Sequence, residues 1–90
     1  MFTYALSEEL EFKIRKLVKK DKKKVEIINK KIKEIVNNNS ETINRYKNLR
    51  HDLSDLKRVH IDKSFVLTFR VNVTNNFILF IDFDHYDKVY

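Results

Sequence analysis

The chain has 90 residues, 42% hydrophobic and 36% charged, with a net charge of +6 and no cysteine. That length supports one domain with one core, here expected to span residues 1–90, and the absence of cysteine excludes disulfides and thiolate metal sites. Glycine and proline are also absent, so a glycine-rich phosphate loop of the Walker or Rossmann kind cannot form.

Phe2 to Leu6 reads as a short strand. Ser7 then stands where an N-cap belongs, and Glu8, Glu9 and Glu11 fall where acids favour the helix dipole. Leu10, Ile14, Leu17 and Val18 recur at helical spacing. Asp21 is placed to cap a second helix, with Val25, Ile28, Ile32, Ile35 and Val36 as its apolar stripe. Asn37, Asn38 and Asn39 end it. The short connection implies an antiparallel helical hairpin. Ser40 to Asn48 is ambiguous and reads as a short helical turn.

From Lys57 the period changes to two. Val59 and Ile61 alternate with Arg58 and His60, and Asp62-Lys63-Ser64 is a turn. Phe65, Leu67, Phe69 and Val71 alternate with Val66, Thr68 and Arg70. A second turn, Val73 to Asn76, uses asparagine in the role of glycine. Phe77 to Phe83 is almost wholly apolar, as in a strand buried on much of both faces. The expected fold is α+β in the order β-α-α-β-β-β. A helical hairpin packs on one face of a small, mostly antiparallel sheet, and the first strand joins the same sheet. Val59, Ile61, Phe65, Leu67, Phe69 and Val71 then meet the helices, and Arg58, His60, Thr68 and Arg70 occupy the other face.

The charge is uneven. Residues 1–50 carry 14 Lys and Arg against 7 Asp and Glu, and residues 51–90 carry 5 against 6. A basic half suits a polyanion or an acidic protein, and a solvated lysine-rich face explains it equally well. No stretch is long and apolar enough to span a membrane, and the first residues are too short a run for a signal peptide. A cytoplasmic protein is expected. Asp82, Asp84, His85 and Asp87 match no strong metal motif and read more readily as charge partners of Arg or Lys.

In element order and local pattern the chain resembles the RelE superfamily of toxins. The likeness lies in a strand followed by Ser7-Glu8-Glu9-Leu10, then Lys47-Asn48-Leu49-Arg50, Leu56-Lys57-Arg58-Val59-His60-Ile61, and Val66-Leu67-Thr68-Phe69-Arg70-Val71. The ending Asp84-His85-Tyr86-Asp87-Lys88-Val89-Tyr90 is similar to archaeal RelE termini, and His60 with His85-x-Asp87 resembles the YafQ branch. The resemblance implies a ribosome-dependent, metal-independent and cofactor-free endoribonuclease. Its partners would be the ribosome, messenger RNA and an acidic antitoxin of the RelB kind. Such a reaction needs a base for the ribose 2′-hydroxyl, cations for the phosphate and an acid for the leaving oxygen. Arg58 and His60 fall where founding members carry two strand lysines. Imidazole ordinarily titrates near neutral pH, and guanidinium holds phosphate in a bidentate pair. His85 and Tyr90 match terminal family positions, so the implied catalytic set is Arg58, His60, His85 and Tyr90. Arg50 and Arg70 are the implied RNA-binding residues.

The chain departs from the family pattern at Val66, where founding members carry a phosphate-clamping Arg, and at Tyr86, where a His-Arg pair is common. A functional role for His85 requires the last strand to end near Asp84, since alternation from Phe83 otherwise turns it toward the core. Two other functions share this fold: a gyrase-inhibiting toxin of the ParE kind, and a nonenzymatic antitoxin-binding remnant.

Overall fold

The computed structural model describes residues 1–49 and 55–89. Strand β1 (Thr3–Leu6) leads through Ser7 into helix α1 (Glu8–Lys20), followed by α2 (Lys22–Val36) and a 3-10 turn (Thr42–Arg45). Strands β2 (Leu56–Ile61), β3 (Phe65–Asn72) and β4 (Phe77–His85) follow, and a single turn of helix, α3 (Tyr86–Val89), comes last. The last strand is two residues longer than its apolar run suggests, and α3 has no signal in hydrophobic periodicity.

The helix boundaries follow from side-chain chemistry. The Ser7 hydroxyl accepts from the Leu10 amide at 3.0 Å, and the Asp21 carboxylate accepts from the Lys24 amide at 3.0 Å. Each satisfies one of the amides that a helix start leaves without a partner. One residue, Asp21, thus ends α1 and begins α2, and the hairpin needs no further linker. At the far end the Asn38 amide donates to the carbonyls of Glu34 and Ile35, both at 3.0 Å. It closes α2 where glycine would be usual.

The sheet order is β1-β4-β3-β2. β2, β3 and β4 form an antiparallel meander, and β1 pairs parallel with β4 from Thr3↔Phe77 to Leu6↔Phe80. The turns place Asp62 at φ 59° and Asn76 at φ 53°. In a chain without glycine these short polar residues take the left-handed backbone that the turns require.

Both helices cover one face of the sheet. Leu10, Ile28, Ile32 and Ile35 pack with Ile61, Leu67, Phe69, Val71, Ile78, Phe80 and Phe83, and Val59 and Phe65 are partly buried against them. Phe69 and Phe80 are fully buried, and each such side chain stabilises the fold by about 1.5–3 kcal/mol. A shift of register between Thr68 and Phe69, opposite Ile81, resets the alternation of β4. Ile78 and Phe80 before it face the helices, and so does Phe83 after it. Among the described residues no helix is long and apolar enough to cross a membrane.

Candidate functional site

Register fixes which candidates share a face. Arg58 pairs with Thr68 and His60 with Val66, and both pairs lie on the side of the sheet away from the helices. His60 is exposed and Arg58 half-buried. This face is not uniformly open. Val66 and Thr68 are buried at the floor of a cleft of about 310 Å³ that Leu49, Leu56, Ile81 and Lys88 help to line. Val66, where founding members of the resembled family carry a cation, is thus an apolar floor residue.

Arg70 shares that face but stands at the other end of β2, opposite Leu56. Its guanidinium is held by the Asp55 carboxylate at 2.5 Å. His85 lies elsewhere. β4 runs through His85 rather than ending near Asp84, and His85 pairs with Phe65. The imidazole packs edge-on against the Phe65 ring at 5.5 Å, and Phe65 stacks on Phe83. His85 therefore sits on the helix side of the sheet, and its Nδ1 lies 3.4 Å from Asp87 Oδ2. The continuous strand explains the difference, because two residues of alternation separate His85 from Phe83. His60 and His85 are not gathered on one face. Arg50, His51 and Tyr90 lie outside the described residues.

The structure instead brings other cations to Arg58 and His60. The segment after the 3-10 turn runs beside the outer edge of β2. The Arg58 amide donates to the Lys47 carbonyl at 3.0 Å, and the Leu49 amide to the Leu56 carbonyl at 2.8 Å. A cleft of about 250 Å³ results, lined by Arg45, Tyr46, Lys47, Arg58, Val59 and His60. Neither Arg45 nor Lys47, the latter part of the Lys47–Arg50 motif, was given a site role from sequence, since pairing of this segment with β2 has no periodic signature. A second cleft of about 420 Å³ adjoins it, lined by Asn44, Tyr46, Lys47, Asn48, Lys57 and Arg58.

Tyr46 anchors this rim. Its hydroxyl donates to Glu34 Oε2 at 2.5 Å and accepts from Asn38 at 3.4 Å, and its ring packs edge-on against Phe69. Burial, then the hydrogen bond to Glu34, pushes the Tyr46 phenol up to about 12. The same bond draws the Glu34 carboxyl below its ordinary value, against the opposing effect of burial. Lys57, on the helix-facing side of β2, is 4% exposed. Its ammonium donates to the Tyr46 carbonyl at 3.2 Å and to Asn48 Oδ1 at 3.0 Å, and burial lowers its pKa. The sequence held a signal for it: alternation with Val59 and Ile61 puts a lysine at a core-facing position.

The acids of β4 have a partner on α1. Lys13 Nζ lies 2.7 Å from Asp82 Oδ1 and 3.3 Å from Asp84 Oδ2, and donates to the Phe83 carbonyl at 3.3 Å. Burial opposes the Lys13 charge, but its bonds to Asp82 and then Asp84 outweigh that and raise its pKa. Asp84 is held below the ordinary carboxylate value despite burial, by the His85 amide and by Lys13. The expectation that these carboxylates are charge partners agrees with the geometry. Among the described residues no cluster of three or more His, Asp or Glu side chains is arranged to hold a metal.

No protein-family model matches the sequence. A curated protein of Methanocaldococcus jannaschii, provisionally named toxin RelE4, is 49% identical over 90 residues, covering 100% of this chain and 92% of the relative. The chain belongs to the RelE toxin family. A Methanosarcina mazei protein of uncharacterised function is 44% identical over the full length of both chains. The solution structure of HP0892, a conserved hypothetical protein of Helicobacter pylori, superposes with a TM-score of 0.57 at 18% identity, covering 100% of both chains. That likeness shows the fold. RelE membership makes this chain a toxin of a toxin–antitoxin pair and implies an antitoxin as partner. The RelE pattern is carried on a sheet whose far face bears Arg58 and His60 side by side on one strand.

Proposed function

We propose that this RelE-family chain is a ribosome-dependent endoribonuclease that cleaves messenger RNA through its own side chains, by attack of a ribose 2′-hydroxyl on the adjacent phosphate. The observation that carries the reading is Arg58 and His60 on one face of β2, with Arg45 and Lys47 lining the cleft beside them. His60 transfers the proton. Arg58 stabilises charge developing on the phosphate, and Arg45 and Lys47 steer the polyanion into place. Tyr90 is proposed to stack on a base or to assist proton transfer, the leaving 5′-oxygen included, and Arg50 to help hold the RNA. His85, on the other side of the sheet, and Arg70, engaged by Asp55, are proposed to contribute less. The antitoxin is proposed to be acidic, complementing the net charge of +6.

The test is cell-free translation of a reporter message with primer extension, comparing the wild type with His60→Ala. Cuts made by the wild type alone, on translated message alone, are expected. EDTA should not reduce cleavage beyond what its effect on ribosome integrity, measured separately, accounts for. Activity that returns only with Mg²⁺ and is abolished by Asp84→Ala would move the chemistry to the β4 carboxylates. The buried Val66 floor favours a second reading, a nonenzymatic antitoxin-binding protein. In that case no cuts appear, yet co-expression of the antitoxin still yields a complex.

A further inference from the structure

Lys57 is a buried cation that the proposed chemistry does not use. An ammonium removed from water loses hydration, a cost that a well-placed carboxylate can offset. Lys57 has no such carboxylate among the described residues. Its partners are two neutral oxygens, the Tyr46 carbonyl and Asn48 Oδ1. An ammonium carries three donors, so one remains beyond these two bonds. The contrast within the molecule is direct, because Lys13, less buried, has two carboxylates.

Lys57 also reaches a surface. It lines the cleft of about 420 Å³ with Asn44, Lys47, Asn48 and Arg58, between the segment after the 3-10 turn and β2. Lys47 adds charge, and the two asparagines add amides able to donate and accept. We propose that this cleft is an anion subsite in which Lys57 binds a phosphodiester oxygen of single-stranded RNA, one or more nucleotides away from the group held at Arg58 and His60. The inference rests on the RNA-binding reading above. A polynucleotide fits better than an acidic peptide, for two reasons. The walls are polar rather than apolar, as a strand of phosphates and base edges requires. The cleft also adjoins the one that His60 and Arg58 line, so one strand runs through both.

A short 2′-deoxy oligonucleotide is the probe, since it carries the phosphates but lacks the attacking hydroxyl. Binding is measured by calorimetry across a salt series with the wild type, Lys57→Met, Asn48→Asp and Lys19→Met. Each variant shifts the net charge by one in the same direction. Lys57→Met removes the donor. Asn48→Asp gives the ammonium an internal anion, so it should raise the melting temperature while excluding the phosphate. Both are expected to weaken binding by about tenfold and to reduce the salt slope by about 0.7, the value for one phosphate on a single strand. Lys19→Met, in α1, should change neither appreciably.

Equal losses in all three variants would overturn the subsite, because general attraction would then explain them. So would an Asn48→Asp protein that is stabilised and binds as well as the wild type, since Lys57 would then be a structural clamp only. Should Lys57→Met fail to fold, wild-type amide shifts decide. Oligonucleotide must perturb Asn44, Asn48 and Lys57, and perturbation there by poly-glutamate alone would assign the cleft to a protein partner. Because the probe cannot be cleaved, the outcome is independent of nuclease activity. An inactive chain that passes this test loses the catalytic reading and keeps the subsite.

Discussion

The β4 and β2 edges of the sheet handle charge in opposite ways. Beyond the short β1, β4 has a free edge, and α1 closes it. The Ser7 hydroxyl donates to the Ile81 carbonyl, and Lys13 neutralises Asp82 and Asp84 while bonding the Phe83 carbonyl. An open strand edge invites pairing with another chain, and here every charge on it has an internal partner. Along β2 cations accumulate instead. Arg45, Lys47, Lys57 and Arg58 gather beside the candidate histidine, and among the described residues no ion pair with a carboxylate is formed by Arg45, Lys47 or Lys57. Compensated charge on β4 marks architecture, and accumulated positive charge on β2 is what the proposed RNA-binding role would use.

That contrast can be broken most sharply on β2. In single-turnover cleavage on programmed ribosomes at saturating protein, His60→Ala should lose about 10²–10⁴ in rate and Arg58→Ala about 10²–10³. His60 is exposed, so its replacement should leave the melting temperature nearly unchanged. Wild-type rates in both variants would mean that β2 is not the catalytic strand.

A smaller effect is expected at the anchor of the basic rim. Tyr46→Phe removes the bond to Glu34 and should cost about 1 kcal/mol in denaturant unfolding. It carries a pH signature as well. The folded Tyr46 phenol is raised to about 12 from 10.0, so the folded state holds its proton where the unfolded state has released it. Its contribution is complete below pH 10 and is lost as pH rises toward 12. Tyr46→Phe should flatten that part of the stability profile. An unchanged alkaline slope would show that the hydroxyl does not couple to folding.

The smallest effect belongs to β4. Asp84 is depressed below its unfolded value of 3.8, so its contribution is present above that pH and is lost as pH falls through the lower folded value. Lys13→Met should shrink this acid-side loss. Lys13 and both carboxylates are about a third exposed, so the change should stay under about 1 kcal/mol. A Lys13→Met chain with an unaltered acid profile would remove the distinction drawn between the two strands.

Most of the fold was legible because periodicity and caps carry local physical meaning. Ser7 and Asp21 announced both helix starts, and strict alternation in β2 and β3 separated Arg58 and His60 from the core. The site was less legible. Arg45 and Lys47 reach β2 through pairing across a non-periodic segment, which composition does not encode. His85 turned on a strand end, where local signals are weakest. Lys57 was written in the alternation itself, as a cation in a core-facing register, but its ammonium acquires meaning only once the neighbouring segment supplies its acceptors.

The pairing of Thr3–Leu6 with Phe77–Phe80 also governs when the molecule comes into being. Strand β1 must wait for β4, because among the described residues no other strand pairs with it. Until β4 emerges, β1 has no ladder and the hairpin has no Ile78 or Phe80 to pack against. Closing so long a loop is slow compared with forming either helix. The assembled face of β2 is therefore expected to appear only after β4 has been made, which separates the making of its first elements from the onset of whatever its basic surface does.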